Sequence, residues 1–348
     1  MPKKIYVGMS GGVDSSVSAA LLLKQGFDVT GVYMKNWSKN LPGHYCSWEE
    51  DYMDAKKVAA QLGIKFKLYD FEKEYRSQVV DYMVSEYQAG RTPNPDIMCN
   101  QEIKFKLFLN TALSDGAELI ATGHYARIND GQLLTGLDSN KDQSYFLYRV
   151  EESALEKSLM PVGELEKPEV RKIAEKLGLS TANKKDSQGI CFVGQVGIKE
   201  FLESELGISK PGRIINQTGE DIGEHEGALY YTIGQRHGLN VGGGLPYYVT
   251  GKNITRNQVF VTTDITDISL WKSSLKLSNI HWINKPPSKD SKYKIRTRYR
   301  ADLINITNID HQGDVYTIDL EDEVRAVTPG QSAVIYEKDR VVGGGIVI

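Results

Sequence analysis

The stretch GMSGGVDSS, Gly8 to Ser16, joins an apolar segment, Ile5 to Met9, to an amphipathic segment, Val13 to Lys24. The apolar segment predicts a β-strand, and the amphipathic one predicts a helix that ends at Gly26. A Ser-Gly-Gly turn at the start of a helix directs backbone N–H groups and small hydroxyls at one point, with no Cβ atoms in the way. This turn therefore predicts an anion-binding cradle.

The cradle differs from two common phosphate loops. It lacks the Gly-Lys-Ser/Thr ending of a Walker loop and the third spaced glycine of a dinucleotide-binding fingerprint. Its core, SGGVDSS at 10–16, resembles the pyrophosphate loop of the ATP pyrophosphatases, which adenylate a carbonyl oxygen and release pyrophosphate. A helix start without a ligand is the alternative, but two adjacent glycines followed by Asp-Ser-Ser exceed what a helix cap requires.

The first two hundred residues alternate strand-like and helix-like segments. Besides the segments around the cradle, we expect strands over 29–34, 66–69 and 119–125, and helices over 49–62, 72–88 and 101–114. Such alternation predicts an α/β domain with a parallel sheet, whose ligands bind at the carboxyl ends of the strands. The nucleotide site should therefore lie at that edge.

The sequence pattern changes near residue 209, where glycines and short β-type runs replace helical periodicity. Beyond about residue 266, strand-length segments at regular spacing predict a small antiparallel β-barrel. We therefore expect three domains: a catalytic domain over 1–208, a small central domain over 209–265 and a C-terminal barrel over 266–348.

Composition narrows the class of protein. The chain has 348 residues, of which 40% are apolar and 25% are charged, and its net charge is −3. Any nucleic-acid surface must therefore come from local clusters of charge. No apolar run approaches the roughly 18 residues of a membrane span, and the N-terminus leads straight into the first strand. We expect a cytoplasmic protein.

Only three cysteines occur, which argues for reduced thiols and against a disulfide framework. Cys99 ends GRTPNPDIMCN at 90–100, where two prolines and two asparagines predict a loop just before a helix. A thiol near a helix start is favoured as thiolate. Cys191 lies in the glycine-bracketed run DSQGICFVG at 186–194, where a buried apolar role is the alternative. Cys46 is interpreted as a bystander.

A basic segment, Lys292 to Arg300, alternates five cations with apolar, aromatic and threonine side chains. The alternation predicts one strand whose five cations face one side, where like charges repel unless a polyanion or facing acids neutralise them. This pattern predicts phosphate binding, and a solvated charged face is the alternative. Lys104 and Lys106 add positive charge close to Cys99.

Taken together, six motifs resemble those of the bacterial-type tRNA-specific 2-thiouridylases. They span nearly the whole chain: SGGVDSS at 10–16, GRTPNPDIMCN at 90–100, ATGHYAR at 121–127, KDQSYFLY at 141–148, DSQGICFVG at 186–194 and TIGQRHGLNVGGG at 232–244. The resemblance implies an adenine-nucleotide alpha-hydrolase-like catalytic domain and ATP-dependent transfer of sulfur to C2 of the wobble uridine of tRNA. Where the family often has Thr and Lys or Arg, this chain has Gln188 and His237, both outside the reacting groups.

The resemblance also implies roles for individual residues. Cys191 would carry a persulfide, Cys99 would be the nucleophile, and Asp96 is placed to act as a general acid or base. The expected ATP contacts are Gly8, Met9, Ser10, Gly11, Gly12, Val13, Asp14, Ser15, Met34 and Gly123. The expected contacts to the target base and the rest of the tRNA are Asn94, Pro95, Asp96, His124, Lys141, Asp142, Gln143, Tyr299, Arg300 and Gln331.

Other functions stay open at this stage. A different pyrophosphate-loop ligase or amidotransferase would keep the cradle but would not need two loop cysteines, and a non-catalytic nucleotide-responsive RNA-binding protein would not need the thiols at all. Asp96 could instead cap a helix. We expect ATP with Mg²⁺ only as its counter-ion and no dedicated metal site. The persulfide donor, a cysteine desulfurase or a sulfur-carrier protein, is undetermined, as is an iron–sulfur cluster on the three cysteines.

Overall fold

The computed structural model describes residues 1–41, 45–185, 197–239, 241–242, 244, 246–288 and 291–348. The strands, in chain order, are β1 Lys4–Gly8, β2 Asp28–Lys35, β3 Lys65–Asp70, β4 Leu119–Ala121, β5 Ala126–Asn129, β6 Gln132–Thr135, β7 Ser158–Leu159, β8 Gly212–Ile215, β9 Asp221–His225, β10 Tyr248–Asn253, β11 Gln258–Thr262, β12 Trp271–Trp282, β13 Lys294–Arg296, β14 Ile304–Gln312, β15 Val315–Arg325, β16 Ser332–Glu337 and β17 Arg340–Val347.

The α-helices are α1 Val13–Lys24, α2 Trp48–Leu62, α3 Glu72–Tyr75, α4 Asp81–Gln88, α5 Pro95–Met98, α6 Leu109–Ser114, α7 Glu152–Leu155, α8 Lys167–Lys176 and α9 Ile198–Leu206. Two π-helical segments each connect two of these α-helices into one longer helical stretch. Arg76–Val80 joins α3 to α4, and Cys99–Phe108 joins α5 to α6. Short 3-10 turns lie at Ser144–Leu147, Ala228–Tyr230 and Ile268–Leu270.

The N-terminal half is built on a parallel sheet with the strand order β3-β2-β1-β4-β7. The buried runs of β1 and β2 lie at its centre, because helices cover both faces of the sheet. One apolar core contains α1, α2 and α8, and another contains the two π-containing stretches together with α9. The strand order turns at β1, so the cradle after β1 lies where α/β sheets bind ligands. The expected α/β fold is confirmed.

The C-terminal strands form an antiparallel barrel with the order β12-β15-β14-β13-β16-β17, closed by pairing of β12 with β17. A separate sheet, β10-β11-β8-β9, forms the central region. The hairpin β5-β6 of the N-terminal half pairs with β17 through Leu133 and Leu134, opposite Val341 and Arg340. The barrel thus extends into the catalytic half by backbone hydrogen bonds, which the sequence pattern did not predict.

Three local predictions were wrong. The loop before Cys99 ends at Asn94, because Pro95 begins a helix, so Cys99 lies inside a helical stretch. The strand expected over 119–125 ends at Ala121. The basic segment is a strand only over Lys294–Arg296 and then turns, so its five cations do not line one continuous strand.

Candidate active site

The segment Gly8 to Ser16, which spans the loop between β1 and α1, contains the predicted anion-binding cradle and is called the phosphate loop below. Glycines determine its shape. Gly11 has φ +76°, and a Cβ added there would overlap the carbonyl oxygen of Asp51. A Cβ on Gly123, just after β4, would lie 2.7 Å from the backbone nitrogen of Ser15. Gly12 takes the N-cap position of α1 and makes no side-chain capping hydrogen bond to the first N–H groups of the helix. The loop therefore leaves room and donors for an anion at the start of α1.

Hydroxyls of the loop hold its shape. The Ser10 backbone N–H donates to Ser15 Oγ at 3.2 Å, and the hydroxyls of Ser15 and Ser16 donate to the carbonyl of Gly12 at 3.2 and 2.8 Å. Ser10 remains exposed. Met34, at the end of β2, lies against the loop, because a Cβ on Gly8 would be 3.0 Å from its Cε. The residues expected to contact ATP are thus brought together at one edge of the sheet.

Asp14 of the loop is neutralised by a residue that sequence reasoning missed. Lys167 Nζ donates to both carboxylate oxygens of Asp14, at 2.7 and 2.8 Å, and the Tyr125 hydroxyl donates at 2.7 Å. Lys167 is buried at the first position of α8. A lysine at a helix N-terminus opposes the helix dipole, and this unfavourable placement was the available sequence signal. The negative charge beside the cradle is therefore balanced.

Cys99 is fully buried at the start of the π-helical segment. Upstream, Asn94 caps the helix by accepting a hydrogen bond from the backbone N–H of Asp96 at 3.2 Å, and Pro95 occupies the first turn. Asn94, Pro95 and Asp96 are half-buried, one helical turn before Cys99. Cys191, expected to be the second reactive thiol, lies outside the described residues.

Cys46 is buried, and its thiol lies 3.7 Å from the carbonyl oxygen of Trp37. Burial raises the pKa of the Cys46 thiol. The thiol is therefore held in the unreactive protonated form at neutral pH, which supports the interpretation of Cys46 as a bystander.

His124 is enclosed next to the phosphate loop. Its Nδ1 lies 2.7 Å from Thr122 Oγ1 and its Nε2 lies 3.3 Å from Lys104 Nζ. Burial, and secondly the charge of Lys104, lower the pKa of His124 well below its usual value. The imidazole is therefore neutral. His124 is expected to contact tRNA, and in this structure its ring is buried against Phe105.

The other residues expected to contact tRNA converge from distant parts of the chain. Asp142, Tyr299 and Arg300 line one pocket of about 260 Å³, together with Asn140 and Arg296. Arg300 has φ +62° and donates to the carbonyl of Asn140 at 3.0 Å. A non-glycine residue in this backbone region is strained and needs support from its surroundings. The structure thus joins the 140–143 and 299–300 segments in one concave site.

Three of these expected contacts also carry structural hydrogen bonds. Asp142 is buried and accepts from the backbone N–H groups of Gly136 and Ser144 at 3.0 and 3.1 Å. Gln143 accepts from the Tyr125 N–H at 3.0 Å. Gln331, from the barrel, donates to the carbonyl oxygen of Thr92 at 2.7 Å and so fixes the segment that leads to Asn94 and Cys99. The barrel therefore supports the catalytic half directly.

The cations of the basic segment have different surroundings. Arg296 lies 3.5 Å from Asp142, with side-chain exposures of 18% and 6%, and its guanidinium lies over the Tyr336 ring. Arg298 is exposed, as are Lys292 and Lys294. The segment is therefore neither a uniform charged face nor a uniform phosphate-binding face.

Within the described ranges, no helix is both long and apolar enough to cross a membrane. The same residues contain no cluster of three or more His, Cys, Asp or Glu side chains arranged to hold a metal ion.

Three family models match the chain: a tRNA methyl transferase HUP domain over residues 3–195, a tRNA methyl transferase PRC-barrel domain over 199–263 and an aminomethyltransferase beta-barrel domain over 272–347. The second match begins before the boundary expected at 208. In the structure, α9 packs into the core of the catalytic half, with the Phe201 and Trp37 rings 5.8 Å apart.

Full-length relatives are also similar. A tRNA-specific 2-thiouridylase MnmA from Idiomarina loihiensis is 49% identical over 99% of this chain and 96% of its own length. One from Pediococcus pentosaceus is 46% identical over 99% and 94%. A solved 4-thiouridine synthetase in complex with RNA and ATP is 19% identical over 59% of this chain and 50% of its own, with a TM-score of 0.38, which is too low to bear on function.

Proposed function

This chain belongs to the family of tRNA-specific 2-thiouridylases, and we propose that it uses ATP to replace the C2 oxygen of the wobble uridine of tRNA with sulfur. The observation that carries this proposal is the full-length identity of 46 to 49% to 2-thiouridylases. The descriptions of the family models speak of methyl transfer, but a phosphate loop of this kind and two distinctive cysteines suit activation by ATP and sulfur transfer. The geometry of the loop supports nucleotide binding, because its glycines and free helix start accept a polyphosphate.

The first step activates a poor electrophile. The C2 oxygen of uracil attacks the α-phosphate of ATP, and pyrophosphate leaves, so that AMP becomes the leaving group at C2. Backbone donors at the start of α1 bind the phosphates, while the Lys167–Asp14 pair keeps the nearby carboxylate from repelling them. Mg²⁺ would accompany ATP as its counter-ion.

The second step transfers sulfur. The terminal sulfur of a persulfide on Cys191 forms a bond to C2, and the C2–O bond breaks as AMP leaves. The Cys99 thiolate then attacks the Cys191 sulfur, which leaves sulfur on the base and a Cys99–Cys191 disulfide on the enzyme. A thiol reductant must reduce this disulfide before the next cycle. Asp96, one turn before Cys99, would move the proton at the base or the sulfur.

The substrate and partners follow from this chemistry. The wobble base must leave the anticodon stack to expose C2, which costs a few kcal/mol and must be offset by contacts elsewhere on the tRNA. We assign those contacts to the pocket around Arg300 and Tyr299 and to His124, Lys141, Asp142, Gln143 and Gln331. Asn94, Pro95 and Asp96 would surround the base. The sulfur comes from a cysteine desulfurase or a sulfur-carrier protein, and the reaction takes place in the cytoplasm. We propose that the chain has three domains, over 1–208, 209–265 and 266–348.

The test compares three cysteine variants. Cys99→Ser and Cys191→Ser should each abolish thiolation of tRNA, measured by mass spectrometry of its nucleosides with ATP and a persulfide donor. Cys46→Ser should keep most of the activity and is the matched control. Because adenylation precedes sulfur transfer, both inactive variants should still bind ATP and tRNA and melt cooperatively. Full thiolation by Cys191→Ser would contradict the persulfide assignment.

The rival functions give different results in the same experiment. A ligase for a small carbonyl substrate would exchange ATP and pyrophosphate with that substrate and show no dependence on tRNA. A non-catalytic RNA-binding protein would show no exchange at all. Iron analysis of protein purified without oxygen separates a cluster-dependent reaction from the persulfide route, because only the former requires iron in stoichiometric amount.

A further inference from the structure

The π-helical segment brings Cys99 and Lys104 onto one side of the helix. In a π-helix, backbone hydrogen bonds join residues i and i+5, so residue 104 lies one turn beyond residue 99. In a regular α-helix the same two residues would be offset by a larger angle around the axis. π-Helical turns are rare and are found frequently at functional sites. The alignment of a thiol with an ammonium group is thus a property of this unusual segment.

The Lys104 ammonium is held by a neutral acceptor. Because an ammonium group only donates, His124 Nε2 at 3.3 Å accepts from Lys104, and the ring proton resides on Nδ1, which donates to Thr122 Oγ1 at 2.7 Å. The buried imidazole orients Lys104 without cancelling its charge. An oriented, charged lysine is therefore present at the same face of the helix as Cys99.

The position of His124 connects Lys104 to the phosphate loop. His124 follows Gly123. Because glycine has no Cβ, Gly123 packs closely against the backbone nitrogen of Ser15. The chain of contacts from the loop through His124 to Lys104 is short and largely buried. Lys104 thus lies between the site for the phosphates and the site of the nucleophilic thiol.

Lys106 shows that this placement is specific to one lysine. Lys106 is two residues further along the same segment, yet it is 63% exposed and pairs with Glu102 at 2.7 Å. Lys106 carries the same charge and lies in the same helical segment as Lys104, but its side chain lies on the exposed surface of that segment. Lys106 therefore provides a matched control for Lys104.

We propose that Lys104 is a catalytic residue of the reaction, whose ammonium contacts the phosphate of the adenylated uridine and stabilises AMP as it leaves. The inference rests on the proposed function. When sulfur adds to C2 and the C2–O bond breaks, the bonding electron pair goes to the phosphate oxygen, so the phosphate gains negative charge. A fixed ammonium beside that oxygen stabilises the transition state more than the ground state. Lys104 keeps its protons throughout.

The test measures single-turnover thiolation by enzyme preloaded with persulfide. Lys104→Gln should lower the rate constant by about 100-fold or more, as expected when one electrostatic contact to developing charge is removed. The KM values for ATP and tRNA should change by less than about threefold, since the contact strengthens only in the transition state. Lys104→Arg should recover part of the rate, and Lys106→Gln should stay within about twofold of the wild type.

Chemical rescue separates this role from a structural one. Ethylammonium added to Lys104→Ala should restore part of the rate constant in a saturable manner, whereas a collapsed helix would not be repaired by a small cation. Weaker tRNA binding with a shallower salt dependence, at an unchanged rate constant, would overturn the proposal and place Lys104 on the tRNA backbone. Absence of thiolation by the wild-type protein would instead refute the proposed function, so the two failures are distinguishable.

Discussion

The phosphate loop, Gly8–Ser16, and the basic segment, Lys292–Arg300, both offer groups that bind anions, but by different means. The loop offers backbone N–H groups whose direction is fixed by glycine and by the start of α1. The basic segment offers side chains, and some of these already have partners within the protein: Arg296 lies against Asp142, and Arg300 donates to the carbonyl oxygen of Asn140. Backbone donors are fixed locally, whereas the availability of a cationic side chain depends on what the rest of the fold places next to it.

At each region a largely enclosed cation also lies beside a carboxylate. Lys167 pairs with Asp14 next to the cradle, and Arg296 lies beside Asp142 where the barrel meets the catalytic half. The first pair adjoins the proposed site of the ATP phosphates, while the second joins two parts of the fold. Removing the cation should therefore affect ATP use in one case and stability in the other.

The largest effect is expected from the loop. Gly11→Ala should abolish adenylation, with at least a 100-fold loss in tRNA-dependent ATP/pyrophosphate exchange, because its Cβ would overlap the Asp51 carbonyl and shift the cradle. Gly63→Ala is the control, since Gly63 also has positive φ but nothing lies within 4 Å of its added Cβ. Gly63→Ala should cost about 1 kcal/mol in stability, because an L residue is disfavoured in the left-handed region, and should leave exchange intact. Normal exchange by Gly11→Ala would show that the nucleotide binds elsewhere.

The next effect concerns stability. Arg296→Gln should lower the free energy of unfolding by about 2 to 3 kcal/mol, because it leaves the buried Asp142 carboxylate without its cation. The loss is smaller than for a fully buried pair, because the Arg296 side chain is 18% exposed. Denaturant titration measures the change, and Arg298→Gln, two residues away, should show almost none. Equal stability of the two variants would mean that Arg296 is as expendable as a surface residue.

A smaller effect is expected at Lys167. Lys167→Gln should raise the KM for ATP by about tenfold, which corresponds to about 1.4 kcal/mol, because an unbalanced carboxylate beside the cradle repels the phosphates. Affinity for tRNA should not change. The double variant with Asp14→Asn should recover part of the loss, because it removes the repelling charge. An unchanged KM in Lys167→Gln would show that the pair only fastens α8 to α1.

The sequence predicted the parts of the fold that local chemistry determines. Helix α1 has the expected bounds, although it is buried on most sides and not only on one face, and β1 differs from prediction by one residue at each end. Pro95 was interpreted as part of a loop, although a proline after a capping asparagine also suits the first turn of a helix. That signal was present in Asn94-Pro95 and was outweighed by the run of loop-forming residues.

The rest could not be predicted because it depends on tertiary contacts. Nothing local to Lys104 indicates His124, and nothing local to Lys167 indicates Asp14, 153 positions away. The alternation in Lys292–Arg300 is real, but the strand ends at Arg296, and Tyr299 packs on Phe146 with ring centroids 4.5 Å apart. Periodicity predicts faces only for as long as the strand continues.

The smallest expected effect tests what remains of the basic segment. The side chain of Arg298 is exposed and makes no hydrogen bond or ion pair within the part of the chain that the structure describes. If it binds a tRNA phosphate, Arg298→Gln should weaken tRNA binding by a few-fold at low salt and reduce the slope of log affinity against log salt by roughly 0.7 to 0.9. Thiolation at saturating tRNA should be unchanged, and so should the unfolding free energy. Binding isotherms at several salt concentrations measure the slope, with Lys272→Gln, an exposed barrel cation outside the segment, as the control. An identical slope in both variants would show that Arg298 is an ordinary solvated charge. The barrel would then contribute to tRNA binding only through the pocket around Arg300.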